Sequence, residues 1–362
     1  MTVAVREHKA QEPLYIPSLD GIRALSFFGV YCSHVAPATI RVPGPFGVTV
    51  FFFLSGFLIT TLLRMEFASK GAISLRAFYV RRVLRIFPPF YIVLILSSGL
   101  ALALGQALGA GVMLTKIFHL ANYWIIGHGW DDTPLGTTGY WSLAVEEHFY
   151  FVFPGLYIVL CRFSRSGKVH ALVLLALCGV ALAWRAVLYY GFHADTLRTY
   201  VASDTRLDSI LFGCVLATYG NPVLDGPSRF PARVWQWFLF PAGCALLLLS
   251  FWFHDLGLRE TVRYTLQGIG LFPVFIAAVR YPEWGPFRFL NLEWVRFVGV
   301  LSYSLYLLHD VVLANLAAHT GLSAIQRALI ALPVSYAAAY AMHRFVERPC
   351  ARLRRRWSRV QS

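Results

Sequence analysis

Several short segments place ionisable side chains inside stretches that are otherwise apolar. Arg23 and His34 stand eleven residues apart in a run that opens Ser18-Leu19-Asp20-Gly21-Ile22. At 100° per residue, eleven residues make three turns plus about 20°, so a helix carries both on one face, roughly 16 Å apart along its axis. Glu146 and Glu147 follow Trp141-Ser142-Leu143, His309 and Asp310 end the run from Ser302 to Leu308, and Asp208 lies in Thr205-Arg206-Leu207-Asp208-Ser209. An imidazole beside a carboxylate in a partly dry pocket is equipped for general base catalysis, the carboxylate orienting the ring. The expectation is that His34, Glu146, Glu147, His309 and Asp208 reach one layer. A different chemistry sits at Arg81, Arg82 and Arg85, which crowd one helix face at i,i+3 and i,i+4 spacing and offer forks that suit phosphate.

Plainer readings stand beside these. The three arginines also serve as a topological anchor, His309 also fits a hydrogen-bonded core histidine, and Asp208 with Arg206 also fits a structural ion pair at a helix end. The Glu146–Glu147 pair is harder to dismiss, because adjacent carboxylates at membrane depth are expensive. Ser55 in Phe53-Leu54-Ser55-Gly56-Phe57 reads as a small residue for close packing rather than a nucleophile. Cys32 does not share a helix face with His34, two residues on, and reads as packing. The six cysteines show no CxxC spacing, so neither a disulfide framework nor a zinc site is expected.

The elements that must position these residues follow from composition. The 362-residue chain is 57% hydrophobic and 14% charged, where a soluble domain carries about 25% charged residues. The reading is an all-α, polytopic bundle of about ten membrane helices, near 21–40, 46–64, 88–108, 141–162, 168–189, 206–220, 235–253, 262–280, 296–317 and 324–345. Residues 117–126 are too short to span and read as re-entrant or interfacial. The net charge of +14 does not indicate nucleic acid, because the basic residues punctuate apolar runs. With both termini cytoplasmic, Arg64, Lys70, Arg76, Arg81, Arg82, Arg85, Arg162, Arg165, Arg280, Arg288 and Arg296 all fall inside. Only a minority, such as Arg41, Lys116 and Arg198, fall outside, and that asymmetry requires an even helix count. Residues 1–17 form a cytoplasmic segment without a signal peptide, 18–349 the membrane region, and 350–362 a basic tail. The long outer connection 109–140, with Gly129, Asp131, Asp132, Pro134 and Gly136, has loop chemistry and a length that is often functional.

Taken in order, the segments resemble the acyltransferase-3 family of bacterial membrane O-acyltransferases. The matching pieces are Leu19 to Leu25 with His34, Phe46-Gly47-Val48 with Phe51 to Ile59, Arg81 to Pro88, Trp141 to Tyr150, Arg206 to Gly213, Ser302 to His309, and Phe345 to Pro349. The family's Arg-x10-His, Arg-x-x-Arg and Trp-Ser-Leu-x-x-Glu-Glu motifs map onto Arg23 with His34, Arg82 with Arg85, and Trp141 to Glu147. His148 departs from the usual Gln, and Asp310 stands where an apolar residue is common.

The resemblance implies a multi-pass protein of the bacterial inner membrane. It would transfer an acyl group, acetyl first, from cytoplasmic acyl-CoA to a hydroxyl of a sugar or glycan, without a permanently bound cofactor or metal. His34 would act as general base, with Glu146 or Glu147 orienting it or binding the acceptor. Arg23, Arg82 and Arg85 would hold the CoA phosphates, and Trp141, Asp208 and His309 are candidate acceptor residues. An acyl-His intermediate and direct transfer are both open. No soluble esterase-like domain is seen, so any second step would need a separate periplasmic partner. A glycan or metabolite transporter is the alternative; it too buries charges, but paired repeats and broken helices are not seen.

Overall fold

The apolar runs fold as helices, and no strand occurs among the described residues of this computed structural model, which are 15–36, 40, 42–130 and 133–360. The expectations placed on residues 1–14, Arg41, Asp131 and Asp132 lie outside them. In chain order the helices are α1 (Pro17–Val35), α2 (Gly44–Lys70), α3 (Leu75–Ala103), α4 (Ala110–Ile117), α5 (Ala121–His128), α6 (Tyr140–Phe163), α7 (Gly167–Gly191), α8 (Thr196–Val201) and α9 (Ser203–Thr218). They continue with α10 (Ala232–Trp252), α11 (Leu256–Arg280), α12 (Pro286–Leu290), α13 (Glu293–His319), α14 (Ala324–Met342) and α15 (Arg348–Val360).

Local chemistry sets many of the boundaries. Pro17 opens α1, where its missing N–H has no intrahelical partner to lose. Ser74 caps α3 and Asp255 caps α11 by accepting from backbone N–H groups of the first turn. Ser323 and Gln326 form a reciprocal capping box at α14. Gly71 ends α2 in the left-handed region, at φ 70°.

Among the described residues, seven helices are long and apolar enough to cross a membrane: α2, α3, α6, α7, α10, α11 and α13. The other three predicted spans fall on α1, α9 and α14, which do not meet that measure. α9 has 16 residues, about 24 Å of helix against a hydrocarbon core of about 30 Å. Thirteen of those residues are buried. An element wrapped in protein can keep Arg206 and Asp208, because it meets little lipid. The 117–126 segment, read as re-entrant or interfacial, is broken rather than one continuous helix. It is divided between α4 and α5 at Phe118–Leu120, where His119 adopts φ 54°.

α2 is the central helix, with Phe52, Phe53 and Phe57 at most 1% exposed. Small residues let its neighbours approach backbone to backbone. A Cβ on Gly213 of α9 would lie 2.0 Å from the Phe53 carbonyl oxygen, and one on Gly299 of α13 would lie 1.8 Å from that of Asp20 on α1. The outward surfaces are apolar instead, with Ile95, Leu96, Phe151, Phe163, Trp237, Leu248 and Trp252 well exposed. A soluble protein hides such side chains; a lipid-facing one displays them.

Candidate active site

Two cavities lie between the helices and share part of their walls. The first, about 250 Å³, is lined from α1 by Asp20 and Arg23, from α3 by Arg82 and Arg85, and from α6 by Glu146, Glu147 and Tyr150. The second, about 330 Å³, is lined by His34, Trp130, Gly136, Thr138, Trp141, Tyr200, His309 and Asp310. Val48 and Tyr306 belong to both walls. The Tyr306 hydroxyl lies 2.7 Å from Ser142 Oγ and donates to the Gly139 carbonyl at 3.2 Å. It is therefore fixed to the start of α6, at the partition between the cavities.

The arginine cavity gathers the residues expected to hold phosphate. Arg23 donates to Asp20 Oδ1 at 2.9 Å. Arg82 lies over the Tyr150 ring, 5.2 Å from its centroid, and 5.6 Å from that of Phe78. These flat contacts leave edge N–H groups for oxygen ligands. Arg81 does not join them, because it pairs with Glu66 at 2.7 Å. Tyr150 also belongs to a polar triangle beside the arginines. Ser55 donates to Glu146 Oε1 at 2.8 Å, and Tyr150 reaches both Glu146 Oε2 and Ser55 Oγ at 3.1 Å. Ser55 is thus a hydrogen-bonded wall residue. The close packing expected of it falls to the adjacent Gly56, where a Cβ would lie 2.0 Å from the Ile210 carbonyl oxygen.

In the second cavity His34 and His309 stack, with centroids 5.0 Å apart and planes 20° apart. His34 Nδ1 lies 3.2 Å from His309 Nε2 and 3.2 Å from Asp310 Oδ1. His309 Nδ1 faces the carbonyls of Leu305 and Tyr306 at 3.1 and 2.9 Å. Both are acceptors, so His309 carries its proton on Nδ1 and presents a lone pair to His34.

The expected single layer does not form. Glu146 and Glu147 line the arginine cavity, and among the described residues Asp310 is the carboxylate at His34. The cause is a helix boundary. α1 ends at Val35 rather than near residue 40, so His34 sits in its last turn. Glu146 lies six residues into α6, about 9 Å below that helix's start, and the first-turn residue Trp141 occupies the level of His34's cavity instead.

Asp208 lines neither cavity. It is fully buried and paired with Arg185 of α7 at 2.7 Å. Arg185 also donates to the carbonyls of Thr205 and Thr261 and to Thr265 Oγ1, tying α7, α9 and α11 together. The expected Arg206–Asp208 pair is not made, because side chains two apart diverge on a helix. Arg206 instead donates to Thr49 Oγ1 at 3.0 Å and lies 3.9 Å from the Tyr264 ring centroid, near Trp141 and Phe52. His148, the departure from Gln, bonds Ser203 at the start of α9 at 2.6 Å.

Asp310, Tyr306 and Ser142 carry contacts that sequence reasoning did not assign. For Asp310 a signal existed: a carboxylate next to an intramembrane histidine, at a position usually apolar.

With this geometry in place, the comparisons are decisive about family. A family model described as an acyltransferase domain (Acyl_transf_3) matches residues 16–344, so the chain belongs to the acyltransferase-3 family. It is 26% identical over 355 residues to peptidoglycan O-acetyltransferase OatA of Listeria monocytogenes, covering 92% of this chain and 56% of that protein. It is 29% identical over 365 residues to the Bacillus subtilis protein named "Putative peptidoglycan O-acetyltransferase YrhL", covering 94% and 56%. The chain thus spans about half the length of the curated relatives it matches. No solved structure matches it.

Proposed function

We propose that this protein is a membrane-bound O-acyltransferase that moves an acyl group, acetyl first, from cytoplasmic acyl-CoA to a hydroxyl of a glycan such as peptidoglycan, with His34 as general base. The observation that carries this reading is the adjacency of the two cavities across Tyr306, with arginine forks on one side and an imidazole on the other. In this reading the chain crosses the bacterial inner membrane ten times with both termini cytoplasmic. Arg64, Arg81, Arg162, Arg280 and Arg296 then all lie at the cytoplasmic ends of their helices, as the positive-inside rule requires.

CoA enters at that end and its phosphates settle on Arg23, Arg82 and Arg85 through charge-assisted hydrogen bonds. Its pantetheine arm runs past Glu146, Glu147 and Ser55, whose polar groups meet its amides. The thioester arrives at Tyr306. The acceptor enters from the opposite end, against Trp141 and His309. His34 takes the hydroxyl proton through Nε2 as the oxygen attacks the thioester carbon. The tetrahedral intermediate collapses, the C–S bond breaks, and the proton on His34 passes to the departing CoA sulfur. Asp208 acts in stability and not in acceptor binding.

The test uses protein in proteoliposomes, labelled acetyl-CoA and muropeptides. Protein-dependent, alkali-labile acetyl ester on the glycan is expected. Muropeptide crossing the membrane unmodified, with no ester formed, would favour a transporter instead.

A further inference from the structure

We infer that Asp310 is the positioning residue for His34, and that the loop 133–139 holds it in place. The inference rests on the reading of His34 as the base and goes beyond it, since Glu146 or Glu147 was the expected partner. Among the described residues, His34 Nδ1 meets two acceptors, Asp310 Oδ1 and His309 Nε2, each at 3.2 Å. Because His309 is committed to the tautomer protonated on Nδ1, both partners demand a proton on His34 Nδ1. Nε2 is then the basic nitrogen of His34. The carboxylate is the stronger of the two acceptors, and it alone carries a charge that balances the imidazolium formed when Nε2 takes a proton.

Asp310 is itself held from outside. Thr138 Oγ1 donates to Asp310 Oδ2 at 3.3 Å, which leaves Oδ1 turned to His34. Gly136, at φ 78°, lies on the α13 backbone at the same point, where a Cβ would come within 2.3 Å of the Asp310 carbonyl. The loop is pinned in turn by the buried Lys116, which donates to the Thr133 carbonyl and to Thr137 Oγ1. A chain of contacts therefore runs from α4 through the loop to the carboxylate and the base.

The experiment compares wild type, Asp310→Asn, Asp310→Glu and His34→Ala as purified full-length proteins. Nitrogen-15 NMR of histidine-labelled protein reads the ring tautomers, with His34 assigned by its loss in His34→Ala. Wild-type His34 should be protonated at Nδ1 and unprotonated at Nε2. In Asp310→Asn the proton should redistribute toward Nε2. The turnover number for acetyl transfer from acetyl-CoA should fall roughly 100-fold or more, with the acetyl-CoA KM unchanged. Asp310→Glu should restore part of the turnover. Wild-type His34 protonated at Nε2, or an Asp310→Asn spectrum identical to wild type, would overturn the inference without reference to any acceptor. Failure of the base reading is distinguishable, since His34→Ala would then keep full turnover whatever Asp310 does.

Discussion

His34, Arg82 and Arg85 line the two cavities, and each was marked in the sequence as an expensive residue in an apolar run. Their partners were not. Asp310 meets His34 only because α1 ends at Val35 and the loop at Thr138 turns the carboxylate. Asp208 meets Arg185 across α7 and α9, a tertiary pairing that no local spacing announces. Two predictions belong at this scale. Arg82→Ala should raise the acetyl-CoA KM about tenfold or more, the value of one charge-assisted hydrogen bond, and Arg82→Lys should recover only part, lacking the fork. An unchanged KM in steady-state kinetics would remove Arg82 from the donor site. Asp208→Ala should cost about 3–5 kcal/mol, because it strands a buried guanidinium. It should read as a lowered melting temperature in detergent, whereas a stable variant with altered acceptor choice would return Asp208 to the acceptor site.

The helices at this scale are legible from apolar runs, and each of the ten predicted spans falls on a helix. Their ends are less so. The end of α1 at Val35 moves His34 from beyond the midplane of a 21–40 span into the last turn, away from the level of the glutamates. The connection 109–140 carries turn residues and one short apolar run, 117–126, which marks α5 in part but neither α4 nor the pinned loop. Gly136→Ala tests that loop as an element. The positive φ disfavours any side chain, and the added carbon meets backbone, so relief must come from moving the loop off Asp310. Turnover should fall even when it is assayed well below the variant's melting temperature, with the bundle still folded. Wild-type turnover would show that the loop does not position the base.

Over the whole molecule, composition and Arg placement told of a membrane bundle, and the exposed apolar faces agree with it. What composition alone undercounts is the protein-wrapped helix. α1 keeps Arg23 and His34, and α9 keeps Arg206 and Asp208, because α2, α7, α11 and α13 pack around them. The proposed orientation puts Ser166, between α6 and α7, in the cytoplasm and Gly321, between α13 and α14, on the opposite side. A single cysteine at Gly321 should react with a membrane-impermeant maleimide in spheroplasts, and one at Ser166 only after permeabilisation. The reverse pattern would invert the topology and place the arginine cavity on the wrong side for CoA.

The central claim is that a cytoplasmic thioester and a hydroxyl from the other side meet at His34. Acetyl transfer from labelled acetyl-CoA by His34→Ala, reconstituted beside wild type, tests it most directly. The account predicts that transfer falls by about 100-fold or more while acetyl-CoA binding to Arg82 and Arg85 persists. Transfer at the wild-type rate would contradict it.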